Sequence, residues 1–246
     1  MCTRIRRSPA FSSLARPVKL CMFTPRRRDL GRGWPGRIED DHVVQLAAQT
    51  LQAFFTGGGK AREHAGYSLA DVRMRPPVLH PPSVRSFTRG YDFHFSNPAS
   101  IYGPEDSIPM PLGSEELEYE LGVAAIIGAD EQIGGFTIVN GWLAPGLEGA
   151  KSKDFAMSLG PIVVTPDELG ATEAGAIARV NGEERERGEV ELPYSWEELR
   201  EYAARNTRLL SGDVLTLALI RGGPVRRGDT VALEVEGIGV LENTVA

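Results

Sequence analysis

Glutamates alternate with apolar residues in the stretch GSEELEYELGVAAIIG, residues 113–128. In a β-strand every second side chain points to the same face, so this spacing predicts a strand with one acidic and one apolar face. The acidic face carries Glu116, Glu118 and Glu120, and the apolar face carries Leu117, Tyr119 and Leu121. The three carboxylates are compatible with a metal site, an acid–base device or the solvated face of a strand.

An early segment, DDHVVQLAAQTLQAFFTGGGK, has the spacing of an amphipathic helix. Asp40 or Asp41 is placed to cap its start, and Gly57 is placed to end it. The apolar positions on its predicted face are Val43, Val44, Ala47, Leu51, Phe54 and Phe55. A second helix is predicted in SWEELREYAARN, where Ser195 and Glu198 match a capping box.

From about residue 76 onward most patterns predict strands, among them GGFTIVNGW, LGPIVVT, DVLTLALI and DTVALEVEGIGVLENTV. Asn181-Gly182 matches a type I′ hairpin turn. The Pro-rich stretch MRPPVLHPPSVRSF predicts an extended linker. We therefore expect a mixed, β-rich α+β fold. Residues 1–17 form a basic extension expected to be disordered, 18–75 a small N-terminal α+β domain, and 76–246 a β-rich domain.

Charge is distributed unevenly along the chain, and this distribution bears on whether the protein binds nucleic acid. Residues 1–37 hold ten Arg or Lys and one acid, whereas the remainder holds 17 basic and 32 acidic residues. An acidic main body argues against nucleic acid as a partner. Cys2 and Cys21 do not make a disulfide framework in 246 residues, which predicts a reducing compartment, the cytoplasm. No apolar run approaches the roughly 20 residues of a membrane-spanning helix, so no membrane partner is expected.

Several stretches together resemble the fumarylacetoacetate hydrolase family. They occur in the family's order and spacing: NPASIYGPEDSIPMP, LEYELGVAAIIG, GGFTIVNGW, AKSKDFAMSLGPIVVTPDEL, VNGEERERG and RRGDTVALEVEGIGVLENTV. The resemblance implies a rolled mixed β-sheet domain, a homodimer, and a pocket at the mouth of the sheet. It also implies hydrolysis or decarboxylation of β-diketo acids and acylpyruvates, usually with Mg²⁺ or Mn²⁺. Such a hard cation takes about six oxygen ligands and stabilises an enolate.

The metal ligands that the resemblance implies are only partly present. Glu120 matches the first glutamate of the family's pair, but the second falls on Gly122, and the aspartate of the next strand falls on Gly141. The resemblance therefore indicates a degenerate metal site, and we expect no bound metal. Mg²⁺ or Mn²⁺ stays possible if the ligands are shifted to Glu116, Glu118 and Glu120.

The candidate site residues follow from this comparison. Lys151 matches the family's pocket lysine, ten residues before Pro161, and is expected to bind a carboxylate or enolate oxygen. Glu120 is expected to act as a general base. His94, which shares a strand face with Asp92, is a candidate to replace the family's missing base. The competing interpretation is a solvated strand face with a surface lysine.

The remaining predicted contacts are secondary. Asn140, Glu118 and Asp92 are candidate substrate-binding residues, although Asn140 also suits a role in satisfying backbone at a strand end. Lys153 and Asp154 are expected to form a local ion pair.

Three functions stay open at this point. The first is a small-molecule enzyme that moves protons in a keto/enol substrate without a metal, by isomerisation, cyclisation or decarboxylation. The second is a metal-dependent C–C bond hydrolase or decarboxylase with substituted ligands. The third is a non-catalytic homologue that binds a ligand or a paralogous subunit.

Overall fold

Strands dominate the computed structural model, which describes residues 18–28, 30–88, 90–166, 174–189 and 194–246. The strands are β1 (Lys19–Pro25), β2 (Trp34–Glu39), β3 (His42–Leu46), β4 (Glu63–Ser68), β5 (Val72–Arg75), β6 (Val84–Phe87), β7 (Phe93–Ser96), β8 (Ile101–Tyr102), β9 (Ser107–Ile108), β10 (Leu117–Ile127), β11 (Ile133–Gly141), β12 (Met157–Val164), β13 (Gly175–Val180), β14 (Glu183–Glu189), β15 (Val214–Val225), β16 (Thr230–Val235) and β17 (Gly239–Val245). The α-helices are α1 (Leu51–Thr56) and α2 (Trp196–Ala204), and 3₁₀ turns cover Leu69–Asp71, Ala129–Glu131 and Gly149–Ser152. The predicted mixed, β-rich α+β fold is confirmed, and the extension 1–17 lies outside the described residues.

The described strands form two sheets. The larger has twelve strands in the order β4-β3-β2-β1-β12-β11-β10-β15-β6-β7, with β5 beside β1 and β8 beside β12. The smaller has the order β14-β13-β16-β17-β9. The long strand β10 is antiparallel to both of its neighbours, β11 and β15, whereas β15 and β6 run parallel. The large sheet is therefore mixed, and β10 lies well inside it.

The alternation that predicts β10 is present in the structure. Leu117, Tyr119 and Leu121 are at most 1% exposed, and the intervening Glu118 and Glu120 are half-buried. From Leu121 to Ile127 every residue is buried, as the loss of polar side chains requires. The strand thus begins with one polar face and ends inside the core.

The predicted helix over residues 43–55 is wrong in its first half. His42–Leu46 is strand β3, which pairs with β2 and β4, and the helix α1 begins only at Leu51. Asp40, with a φ of 52°, lies in the turn between β2 and β3 and does not cap a helix. Thr50 provides the cap, since its side chain accepts a hydrogen bond of 3.0 Å from the Ala53 N–H. Pairing with two neighbouring strands outweighs a helical apolar spacing in a segment with two adjacent β-branched valines.

The predicted division at residue 75 stays a prediction. Across it, β1 is antiparallel to β12, with Lys19 opposite Val164 and Leu20 opposite Val163. The strands of residues 18–75 are therefore hydrogen-bonded into the same large sheet as the strands that carry the pocket described below.

Apolar side chains from both sheets share one large buried cluster, which is accompanied by two smaller ones. Tyr119 and Leu121 of β10 belong to the same buried cluster as Leu233 of β16 and Leu241 of β17. A second cluster lies under α1, where Phe54 and Phe55 join buried residues of β1, β10 and β12. Among the described residues, no helix combines the length and apolarity that crossing a membrane requires.

Cys21 lies within this core and is expected to be chemically inert. It is fully buried in β1, and burial raises the pKa of its thiol to about 12. The thiolate is the reactive form of cysteine. In the folded Cys2→Ser variant we therefore expect the Cys21 thiol to react with a disulfide reagent at least about a hundredfold more slowly than in the same variant unfolded by denaturant. Comparable rates, measured by release of the coloured thiol, would contradict the buried position.

Candidate functional site

A pocket of about 950 Å³ opens beside Glu120. Its walls come from neighbouring strands of the large sheet, with Gly141 from β11, Glu120 from β10, Arg221 from β15 and His94 from β7, and from Lys153 in the segment before β12. A cavity of several hundred Å³ with a few convergent polar groups is typical of a small-molecule site.

Glu120 is held between two cations at the pocket wall. Its side chain is 15% exposed, and its Oε2 accepts a hydrogen bond of 2.7 Å from Lys153 Nζ. Arg221 Nε lies 3.8 Å from the other oxygen, Oε1, because the two residues are cross-strand partners on β10 and β15. Behind the pocket, the oxygen Oδ1 of buried Asn140 accepts a hydrogen bond of 3.0 Å from the Glu120 N–H. The two cations hold the carboxylate where partial desolvation strengthens charge interactions, and Asn140 holds the main chain of Glu120.

Arg221 connects the two glutamates of the polar face. Its Nε donates a hydrogen bond of 2.8 Å to Oε2 of Glu118, which lies outside the pocket lining. Lys153, Glu120, Arg221 and Glu118 therefore form a row of alternating charges. Within that row only Glu118 lies outside the pocket lining, so the lining carries two cations and one carboxylate from it.

His94 lies on β7 directly opposite Ser86 of β6. The pKa of its imidazole is lowered from 6.5, first by desolvation and then by the positive charge of Lys153, while the charges of Glu120 and Asp92 act in the opposite direction. Although His94 is an exposed residue, this direction of shift makes the neutral form the predominant one at pH 7, with one ring nitrogen free to accept a proton. Asp92 itself is exposed and lies outside the pocket lining.

Three hydroxyl groups extend the polar surface from His94 into the pocket. Thr216 Oγ1 donates a hydrogen bond of 3.0 Å to Ser86 Oγ, and Ser86 Oγ lies 2.7 Å from Ser96 Oγ. All three residues line the pocket. Each hydroxyl both donates and accepts, so the chain provides adaptable partners for polar groups of a ligand.

The two lysines of the segment before β12 have different positions from those predicted. Lys151 forms an ion pair with Asp154, is 78% exposed and lies outside the pocket lining. Lys153 pairs with Glu120 and not with Asp154, and it faces the pocket. The predicted ion pair of Lys153 with Asp154 is therefore wrong. The two lysines flank Ser152, the last residue of the 3₁₀ turn Gly149–Ser152, so the direction of this turn decides which of them reaches the site.

The structure thus brings Glu120 and His94 together and places Asn140 behind them. Four predicted site residues lie outside the pocket lining, namely Asn140, Glu118, Asp92 and Lys151. Sequence reasoning missed Lys153 as a pocket residue and did not single out Arg221. The signal for Arg221 was its position directly after the predicted strand DVLTLALI. The pairing register that aligns it with Glu120 depends on two irregularities between β10 and β15.

The described residues do not fit the metal-ligand set that the resemblance implies. Among them, no cluster of three or more His, Cys, Asp or Glu side chains is arranged to hold a metal ion. A side chain at position 122 would place its Cβ 2.3 Å from the Leu217 carbonyl oxygen, so a glutamate there needs the backbone to move. At position 141 a Cβ would lie 3.2 Å from Glu120 Oε2, so Gly141 faces the carboxylate without contributing a ligand.

The twelve-stranded mixed sheet, the smaller five-stranded sheet and the pocket lined by the large sheet define a mixed, β-rich α+β protein with a small-molecule site. The chain belongs to the fumarylacetoacetate hydrolase family, because the family model described as "Fumarylacetoacetate (FAA) hydrolase C-terminal" matches residues 58–246. A mitochondrial oxaloacetate tautomerase of Bos taurus is 30% identical over 220 residues, which cover 72% of this chain and 70% of the relative.

Solved structures agree with this assignment. A 5-carboxymethyl-2-hydroxymuconate delta-isomerase from Mycobacterium smegmatis has a TM-score of 0.77 at 26% identity, covering 93% of this chain and 99% of that one. A maleylpyruvate hydrolase from Sphingobium sp. SYK-6, solved with manganese(II) and pyruvate, shares the fold with a TM-score of 0.76 at 19% identity, covering 93% and 98%. The relatives at 26% and 30% identity are named as an isomerase and a tautomerase, which supports an enzymatic role for this chain.

Proposed function

We propose that this protein is an enzyme that moves a proton within a keto/enol acid, a β-diketo or acylpyruvate-like substrate, without a tightly bound metal. The observation that carries the proposal is the Glu120 carboxylate held in the pocket between Lys153 and Arg221, with neutral His94 in the same lining. Isomerisation, cyclisation and decarboxylation are the reaction types that this arrangement suits. The relatives named as a tautomerase and an isomerase support the same class.

The proposed chemistry starts with an exchange of partners. A substrate carboxylate binds Arg221 and the substrate carbonyl oxygen takes the Lys153 ammonium, which frees Glu120 from its ion pair. Glu120 then accepts a proton from the carbon beside the carbonyl, and the electron pair of that C–H bond moves to the carbonyl oxygen. The resulting enolate is stabilised by Lys153, since a fixed cation in a partly dry site strongly favours developing negative charge. Return of the proton to another atom completes an isomerisation.

The role of His94 is to exchange the proton that Glu120 collects, through its neutral imidazole.

The predicted homodimer, the cytoplasmic location and the small-molecule partner belong to the same proposal. A small-molecule substrate is supported by the volume of the pocket. The net charge of −6 argues against nucleic acid as a partner.

A turnover assay tests this proposal directly. Oxaloacetate, acylpyruvates and fumarylacetoacetate-like diketones are followed by enol absorbance, in parallel with Mn²⁺ and with EDTA. We expect turnover that survives EDTA. Turnover lost in EDTA would favour the metal-dependent hydrolase or decarboxylase, for which the manganese-bound relative is a precedent. Absence of turnover in both conditions would favour a binding role.

The pH profile tests His94. Because its pKa lies below 6.5, the neutral form prevails above the pKa and is lost as pH falls through it. We therefore expect kcat/KM to decline on the acidic side of pH 6.5 and His94→Gln to abolish that decline while lowering the plateau by about tenfold to a hundredfold. Asp92→Asn removes a charge that raises this pKa and should move the decline to lower pH. An acidic limb that persists unchanged in His94→Gln would assign it to another group.

A further inference from the structure

The Glu120 carboxylate already has a cation on the side that faces position 141. Its Oε2 is the oxygen bound by Lys153 Nζ at 2.7 Å, and it is also the atom nearest to a Cβ built on Gly141, at 3.2 Å. A side chain at position 141 would therefore begin beside the same oxygen that the ammonium binds. A metal ion held between residues 120 and 141 would therefore compete with the Lys153 ammonium for Glu120 Oε2.

The groups around Glu120 Oε2 favour the Lys153 ammonium over a divalent ion. Arg221, whose side chain is 57% exposed, lies 3.8 Å from the second oxygen of Glu120, so a metal bound there would add two charges beside a guanidinium and an ammonium. Position 122 offers no compensating ligand, because the Leu217 carbonyl oxygen fills the space that its Cβ would need. Like charges at such distances repel, and they do so more strongly in a partly buried site than in bulk water.

We propose that Lys153 is the built-in cation of this pocket, which binds an oxyanion of the ligand directly and keeps Mg²⁺ and Mn²⁺ out. The class of ligand is a planar dianion, such as an enolised keto acid. In this respect the inference rests on the proposed function, whereas the exclusion of divalent ions rests on the two cations beside Glu120. The lining holds one further carboxylate, that of Glu189. Lys153 thereby becomes the specificity-determining residue of the site.

Binding of Mn²⁺, measured by the loss of the free-ion paramagnetic resonance signal, tests the exclusion. The comparison uses the full chain, Lys153→Met, Gly141→Asp, and the double variant Lys153→Met/Gly141→Asp. We expect negligible binding by the full chain and a gain of about thirtyfold or more in affinity for the double variant, because it exchanges a cation for a second carboxylate ligand. Tight Mn²⁺ binding by the unaltered chain would overturn the proposal.

A matched control separates the position of the lysine from its charge. Lys151→Met/Gly141→Asp makes the same change in net charge two residues away, where the side chain lies outside the pocket, and we expect it to gain little affinity for Mn²⁺. An equal gain in this control would overturn the proposal, as would no gain in a double variant whose melting temperature shows it to be folded.

Oxalate, a planar dianion, tests the anion-binding half in EDTA and needs no turnover. We expect calorimetry to show binding by the full chain and an affinity at least about tenfold lower in Lys153→Met, with Lys153→Arg partly restoring it. Oxalate binding that requires added Mn²⁺ would overturn the proposal. Lys153-dependent oxalate binding in a protein without turnover would uphold the inference while rejecting the proposed proton transfer.

Discussion

Glu120→Gln is expected to lower kcat by about a hundredfold to ten-thousandfold, the range typical for loss of a general base. The amide has nearly the shape of the carboxylate and keeps an oxygen for Lys153, but it cannot take up the substrate proton. Because binding depends on Lys153 and Arg221, we expect KM to change much less than kcat. Steady-state kinetics on the best substrate from the turnover assay provide the measurement.

Glu116→Gln is the matched control for this result. It removes the same charge from the same acidic run, but Glu116 precedes β10 and lies outside the pocket lining. We expect activity close to that of the unaltered protein. Equal losses of activity in Glu116→Gln and Glu120→Gln would show that the effect arises from removing a negative charge anywhere in this acidic segment. Near-normal activity in Glu120→Gln would remove Glu120 from the mechanism.

Lys153→Met should have the second largest effect. We expect kcat/KM to fall about a hundredfold, the typical loss when one group that stabilises an oxyanion is removed. Both kcat and KM should suffer, because the ammonium contacts the bound substrate and the enolate formed from it. Lys153→Arg retains the charge in a different shape and should recover part of the loss.

Lys151→Met decides between the two lysines. Sequence resemblance assigns the pocket role to Lys151, whereas the structure pairs Lys151 with Asp154 at the surface and Lys153 with Glu120 in the pocket. A loss confined to Lys153→Met would support the structural assignment. A loss confined to Lys151→Met would return the role to the residue predicted from sequence and would require the 3₁₀ turn Gly149–Ser152 to rotate in the working enzyme.

Features set by neighbours along the chain are the ones that sequence predicts well. The alternating burial of β10 follows from its alternating residues, and the positive φ angles of Asn181 and Gly182 are those of the predicted hairpin turn. The capping box of Ser195 and Glu198 is present with both of its hydrogen bonds. Each of these needs only a few consecutive residues to be specified.

Features set by distant partners are the ones that sequence reasoning missed. Strand β3 is a strand because β2 and β4 offer it hydrogen bonds, although the spacing of its apolar residues also fits a helix. Arg221 reaches Glu120 only through the exact register of β15 on β10. The family resemblance supplied the fold and Glu120, but not the cation that Glu120 binds.

The position of β15 between β10 and β6 determines when the pocket comes into existence during synthesis. Ser86 and Thr216, joined by a hydrogen bond across β6 and β15, are separated by 130 residues. Closing so large a loop costs entropy before any contact rewards it, and parallel pairing between distant strands is slow to form. Residues 84–127 are translated long before β15. Until β15 is made, β6 and β10 each lack the partner strand on one side. A nascent chain stalled before residue 214 would have Glu120 and His94 but no enclosed site, and its exposed strand edges would need protection from aggregation.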